Sequence, residues 1–178
     1  MKLLYAQEEI ARQVKELGAQ INRDYQDQEL VMLVVLKGSM LFAADLCREI
    51  TAPVTLEFIR VSSYDSGTTS SGKIDFKVPL QCDIAGKHVL IVEDIIDTGL
   101  TLKVLHAYLQ NQQPQSLKCC TLIDKKKYRQ VDFEADYVGI TMDDGFIIGY
   151  GLDYNERFRN LAGIYLLDPT NLPFQGEA

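Results

Sequence analysis

The chain has 178 residues, 47% of them hydrophobic and 24% charged, with a formal net charge of −7. That balance suits a single globular domain over 1–178 with a core of its own. It argues against general nucleic-acid binding, which needs a basic footprint, and no run of about 18 apolar residues is present to span a membrane.

Met1 to Glu9 soon turns polar and acidic, unlike a secretory signal, so a cytoplasmic protein is expected. Glu8 to Arg23 carries Ile10, Val14, Leu17 and Ile21 at helical spacing, which predicts an amphipathic helix. Leu30 to Leu36 is a continuous apolar run, the pattern of a strand buried on both faces. Lys37-Gly38-Ser39 breaks it, and Met40 to Ile50 reads as a second helix. Val54 to Val61 alternates like a strand. Ser62 to Gly72 is almost all small and polar, so it is expected to be a mobile loop.

Strand character returns at Ile74 to Leu80 and at His88 to Glu93. Asp97-Thr98-Gly99 then opens a helix with Leu102, Leu105 and Leu109 on one face. Ser116 to Ile123 is a further strand, followed by shorter ones at Tyr137 to Ile140, Phe146 to Gly149 and Gly163 to Leu167. Apolar strands alternating with helices predict an α/β domain around a largely parallel sheet. Ligands of such sheets sit beyond the carboxyl ends of the strands.

The four cysteines, Cys47, Cys82, Cys119 and Cys120, form no Cys-x-x-Cys pair, so reduced, packed thiols are expected. His88 and His106 are the only histidines, which leaves a His-based metal site or triad without support.

The chemistry concentrates in Val89 to Thr101, VLIVEDIIDTGLT. An apolar strand ends in Glu93 and Asp94, and a helix begins around Asp97 to Thr101. The first N–H groups of a helix lack internal partners and sit at the positive end of its dipole, so they can hold a phosphate. Gly99 lets the backbone come close, and Thr98 and Thr101 add hydroxyl donors. A plain capped helix, with Asp97 or Thr98 as N-cap, explains those two residues equally well. It gives no reason for adjacent carboxylates at the end of an apolar strand, where burial without partners is costly.

This stretch, EDIIDTG, resembles the phosphoribosyl pyrophosphate motif of the type I phosphoribosyltransferases, in the form of the hypoxanthine-guanine branch. The resemblance runs in order from about Leu30 to Leu167. It implies an α/β fold, a mainly parallel twisted sheet flanked by helices. The core would cover about 30–145, with a small hood lobe from the N-terminal segment and about 146–178. It further implies that Glu93 and Asp94 contact the ribose hydroxyls. Ile96, Asp97, Thr98, Gly99, Leu100 and Thr101 would cradle the 5-phosphate, with Asp97 as general base toward a purine ring nitrogen. Leu36-Lys37-Gly38-Ser39 resembles the family's pyrophosphate loop, in which a second glycine often stands where this chain has Ser39. Ser63 and Tyr64 would open the loop that closes during reaction.

Other blocks extend the resemblance. Lys125 would donate to a purine 6-oxo group, whereas Lys125-Lys126-Lys127 by itself reads as a solvated patch. Phe146 to Tyr154 (FIIGYGLDY) resembles the purine and metal segment. Phe146 would stack on the base, although taken alone it reads as a core residue. The Ile147 backbone would bond the base edge, and Asp153 would bind Mg2+, aided by Glu93 and Asp94. Arg159 would face pyrophosphate, and Arg129 would help with anionic groups, though it has no clear counterpart in the family. The implied substrates are phosphoribosyl pyrophosphate with hypoxanthine or guanine, xanthine being a third candidate, and the implied assembly is a homodimer or homotetramer. Two other readings stay open: a regulator that binds phosphoribosyl pyrophosphate without turnover, and a sister enzyme for xanthine, uracil or adenine. A P-loop NTPase is set aside for want of G-x-x-x-x-G-K-[ST].

Overall fold

The computed structural model describes residues 1–63 and 74–168. In chain order the elements are β1 (Lys2–Tyr5), α1 (Gln7–Asp24), β2 (Leu30–Val35), α2 (Met40–Glu49), β3 (Val54–Ser63) and β4 (Ile74–Val78). They continue with β5 (His88–Ile96), α3 (Leu100–Gln110), β6 (Ser116–Lys125), β7 (Tyr137–Met142), β8 (Phe146–Ile148) and β9 (Ile164–Leu167).

The six-stranded sheet has the order β4-β3-β2-β5-β6-β7. All its pairs are parallel except β3 with β4. Every residue of β2 is buried, as its unbroken apolar run predicts for a central strand with both faces covered. One face packs on α1 and α2, where Ile10, Val14, Leu17 and Ile21 meet Met32, Leu90 and Val92. The other face packs on α3 through Leu102, Leu105 and Leu109 against Val31, Val89 and Ile91. A mainly parallel sheet flanked by helices is therefore the architecture observed. The expected run 116–123 extends to Lys125 as β6, which carries that lysine, still buried, to the carboxyl end of the sheet.

Two differences from the sequence reading affect the site. The strand expected to end at Glu93 runs on to Ile96, pairing Ile95 with Ile123 and Ile96 with Asp124. Its facing slips at the acidic pair: Leu90 and Val92 lie in the first core and Val89 and Ile91 in the second, yet Ile95 packs on the first and Ile96 on the second. Strict alternation would give the opposite, so the backbone re-aims at Glu93–Asp94. The second difference is β1, too short and flanked too closely by a helix to show a pattern. It joins β9 and β8 in a separate three-stranded antiparallel sheet of order β1-β9-β8. The loop expected at Ser62 to Gly72 begins inside β3, and the rest of it, from Tyr64, lies outside the described residues.

Candidate active site

β2 and β5 are parallel neighbours, but the chain leaves β2 for β3 on one side and β5 for β6 on the other. A crevice opens at such a switch point, beyond the carboxyl ends of the strands. The turn after β2, Leu36 to Ser39, comes against Asp94 near the end of β5 there. The Leu36–Lys37 peptide is cis. Ser39, where the family often has glycine, is fully buried, and its hydroxyl donates to the Val35 carbonyl at 2.5 Å. Gly38 is packed on both sides: an added Cβ would lie 1.8 Å from Asp94 Oδ2, and its carbonyl oxygen would lie 2.0 Å from a Cβ on Gly151.

Two adjoining hollows occupy this edge. The first, about 260 Å³, is lined by Glu93 to Gly99 with Thr101 and Leu102. The second, about 250 Å³, is lined by Asp94, Ile95, Asp97, Lys125, Phe146, Ile147, Leu152 and Asp153. Asp94 and Asp97 line both, so the acidic segment and the aromatic segment face one continuous space.

The expected N-cap differs. Gly99, at φ 78°, starts α3, and no side chain caps the helix. Leu100 N–H reaches Thr98 Oγ1 only at 3.4 Å. The first helical N–H groups are thus left for another acceptor. Glu93 and Asp94 crowd one another, Asp94 N–H donating to Glu93 Oε1 at 3.0 Å. Burial, reinforced by the neighbouring Asp94 charge, pushes the Glu93 carboxyl well above its usual value. Burial raises Asp94 as well.

In the second hollow, Lys125 is buried and donates to the Gly145 carbonyl at 2.6 Å. Phe146, which sequence alone places in the core, is 42% exposed and stands edge-on to Tyr154 at 5.6 Å. Its neighbour Ile147 is buried in β8, an edge strand half of whose backbone groups face away from β9.

At the outer rim, Lys37 Nζ pairs with Glu156 Oε2 at 2.9 Å. Arg159 Nη2 pairs with Asp153 Oδ1 at 2.8 Å and Glu156 Oε2 at 3.2 Å, and its Nη1 donates to the Gly151 carbonyl at 2.7 Å. The hydrogen bond from Lys37, then that from Arg159, holds Glu156 below the usual carboxylate range. Ser63 closes β3, and Tyr64 lies outside the described residues.

Sequence reading missed Glu156 and Asp124 and left Arg129 without a place. Asp124 is buried at the end of β6 and pairs with the Arg129 guanidinium, which also donates to the Phe133 carbonyl. Arg129 Nε donates to the Asp97 carbonyl at 3.1 Å. Arg129 therefore ties the turn carrying Asp97 to the end of β6. The available signal was a single acid, Asp124, inside an otherwise apolar strand end.

This chain belongs to the phosphoribosyltransferase family, whose phosphoribosyl transferase domain model matches residues 2–155. It is similar to hypoxanthine-guanine phosphoribosyltransferases. That of Aquifex aeolicus is 47% identical over 169 residues, which is 94% of this chain and 95% of the relative. That of Bacillus subtilis is 44% identical over 95% of this chain and 94% of the relative. The crystal structure of a Staphylococcus aureus hypoxanthine phosphoribosyltransferase superposes with a TM-score of 0.92 at 44% identity, covering 96% of this chain and 92% of that one. A Bacillus anthracis hypoxanthine-guanine phosphoribosyltransferase, with a HEPES molecule in its active site, matches at a TM-score of 0.91 and 45% identity, over 94% and 99% of the two chains.

Proposed function

We propose that this enzyme transfers the 5-phosphoribosyl group from phosphoribosyl pyrophosphate to hypoxanthine or guanine, releasing pyrophosphate and giving IMP or GMP for purine salvage. One observation carries the proposal: Asp97 lines both the hollow beneath the uncapped α3 and the hollow of Lys125 and Phe146. A group so placed can reach both a sugar phosphate and a heterocycle.

In this scheme the free N–H groups around Thr98 to Thr101 cradle the 5-phosphate, with Ile96 packed beneath them. Glu93 and Asp94 hold the ribose hydroxyls. Leu36, Lys37 and Gly38 line the pyrophosphate turn, and Arg159 faces it. Phe146 stacks on the base, Ile147 bonds its edge, and Lys125 donates to the 6-oxo group. The transition state resembles an oxocarbenium ion, as in glycoside transfer. Asp97 accepts the purine proton, which sharpens the ring nitrogen as a nucleophile. Lys37 and Arg159 stabilise the charge that develops on the departing pyrophosphate. Holding both substrates side by side removes much of the entropic barrier.

The donors fit Mg2+ of one kind. Among the described residues no three His, Cys, Asp or Glu side chains converge as a cage. Mg2+ commonly binds through one or two carboxylates, its remaining positions going to waters and substrate phosphates. Asp153, with Glu93 and Asp94 across the crevice, supplies hard oxygen donors of that kind. Bound there, the ion would neutralise diphosphate charge.

Among the described residues no helix is long and apolar enough to cross a membrane. Cys119 and Cys120 are buried free thiols, which suits the reducing cytoplasm, where we place the enzyme. Leu56 and Phe58, each 43% exposed and two apart on β3, support self-association as a dimer or tetramer. The chain's core at about 30–145 and hood from its two ends form one domain in this scheme.

The decisive assay presents hypoxanthine, guanine, xanthine, adenine and uracil in turn with phosphoribosyl pyrophosphate and Mg2+. Turnover of hypoxanthine and guanine, with little of adenine or uracil, is expected. Failure to form IMP and GMP overturns the assignment and favours a binding-only regulator.

A further inference from the structure

The ion network at the rim of the crevice holds one acid, Glu156, that the reaction scheme does not use. Glu156 Oε2 lies 2.9 Å from Lys37 Nζ and 3.2 Å from Arg159 Nη2, so one carboxylate bridges both rim cations. Asp153 completes the group, its Oδ1 on Arg159 and its Oδ2 accepting the Glu156 N–H at 2.9 Å. Two cations face two carboxylates, and the rim is locally neutral.

The backbone beneath Glu156 is unusual. Asn155, Glu156 and Phe158 have φ of 49°, 61° and 73°, the left-handed region that non-glycine residues seldom adopt. Strain of this kind persists where the surroundings hold it and clusters at sites that move or bind. Arg159 shows a second tension. In its present arrangement its Nε is buried without a hydrogen-bond partner among the described residues, a costly state for a charged group. A different set of acceptors would relieve it.

We propose that Glu156 is a built-in stand-in for the diphosphate: its carboxylate bridges Lys37 and Arg159 in the empty enzyme and is displaced when pyrophosphate or its ester arrives. This rests on the assignment of Lys37 and Arg159 to the pyrophosphate. A polyanion offers those cations more charge than a single carboxylate, so it wins the exchange. Asp153 is released from Arg159 at the same moment and becomes available to a diphosphate-bound divalent ion. When the product leaves, Glu156 re-forms the bridge. The contact therefore weakens diphosphate binding and speeds its release, and it keeps two like charges from repelling one another in the empty crevice.

The side chains of Glu156 and Lys37 are 59% and 44% exposed, so the competing contact is modest. Double-mutant values for such exposed pairs correspond to about 1.4- to fivefold in a binding constant, and more where one carboxylate serves two cations. The test measures inorganic pyrophosphate binding by calorimetry, with Mg2+ and without purine, so no turnover is involved. Glu156→Gln and Glu156→Gly, the second of which also fits the left-handed backbone, should each bind about two- to tenfold more tightly than the parent. Glu156→Asp, which keeps the charge, should stay nearer the parent. Melting temperatures check that each variant is folded. Unchanged or weaker binding in both neutral variants, with Lys37→Met and Arg159→Gln clearly weaker, overturns the stand-in alone. If Lys37→Met and Arg159→Gln also bind as the parent does, the pyrophosphate assignment of the rim falls with it.

Discussion

Gly38 and Asp94 stand so close that a Cβ on the glycine would lie 1.8 Å from the carboxylate oxygen. The turn after β2 and the acid at the end of β5 are therefore fitted to one another, and neither can shift alone. Gly38→Ala should displace Asp94 or the turn by a large fraction of an ångström. Misplacement on that scale costs roughly 100-fold in rate, while overpacking costs only about 1–3 kcal/mol of stability. We expect kcat/KM to drop by about that factor, with a folded protein and a Tm lower by several degrees. Parent-like kinetics in Gly38→Ala would show that the turn tolerates the side chain and that the fit is irrelevant to the reaction.

The Arg129–Asp124 pair makes a separable prediction. Asp124 is 1% exposed in its side chain, and Arg129 ties it to the Asp97 carbonyl. Arg129→Met leaves the buried Asp124 carboxylate with only Lys126, 3.9 Å away, as counter-charge, at a cost of up to about 3–5 kcal/mol. Arg129→Met with Asp124→Asn removes that charge and should recover much of the stability. It should not recover activity, because the loop carrying Asp97 still lacks its tie. Melting curves and kcat measured on both variants check this, and full recovery of kcat in the double variant excludes a positioning role.

The sequence and the structure agree most where local pattern and tertiary context push the same way. The unbroken run of β2 could only be a covered strand, and the Ile10–Val14–Leu17–Ile21 spacing could only bury one helix face. The acidic pair was visible because carboxylates after an apolar strand contradict the pattern around them. Its geometry was not, since the slip in facing at Asp94 depends on the Gly38 turn, over fifty positions away. Phe146 shows the limit from the other side. By type it belongs in a core, and only the packing of β8 at a sheet edge leaves it 42% exposed. Glu156 carries little local signal, because its partner Lys37 lies 119 residues away and is chosen by the fold.

Glu93 predicts an unusual pH dependence. Burial and the Asp94 charge raise its carboxyl well above the ordinary value, so the folded chain holds that proton more tightly than the unfolded chain. Between the ordinary value and the raised one, the folded state binds more protons, and stability falls as pH rises. Asp24 and Asp144, held low by Lys118 and Lys127, the latter acid at about 2, have the opposite sign and act only in more acidic solution. The Tm of the ligand-free enzyme should therefore decline as pH rises above the ordinary carboxylate range, at about 2–4 °C per kcal/mol lost. Glu93→Gln keeps the oxygen that accepts Asp94 N–H and should flatten that decline. Parallel pH profiles for parent and variant would remove Glu93 as the cause.

Phe146 and Lys125 divide base recognition between them, and their variants should fail differently. The exposed ring offers a flat apolar face, and stacking of a base on such a ring is worth roughly 1–3 kcal/mol. Phe146→Ala should therefore raise the purine KM by about five- to a hundredfold. The KM for phosphoribosyl pyrophosphate should hardly move, and the fold should persist, since much of the ring lies in solvent. Lys125 is buried and donates to the Gly145 carbonyl at 2.6 Å, a contact a 6-oxo group can share or replace. Lys125→Met keeps the length of the side chain and removes the donor. It should weaken hypoxanthine and guanine together while leaving adenine, which offers a donor at that position, nearly unaffected. Steady-state kinetics on the three bases separate the two roles. If Phe146→Ala leaves the purine KM unchanged, or Lys125→Met leaves the oxo preference intact, that residue does not read the base.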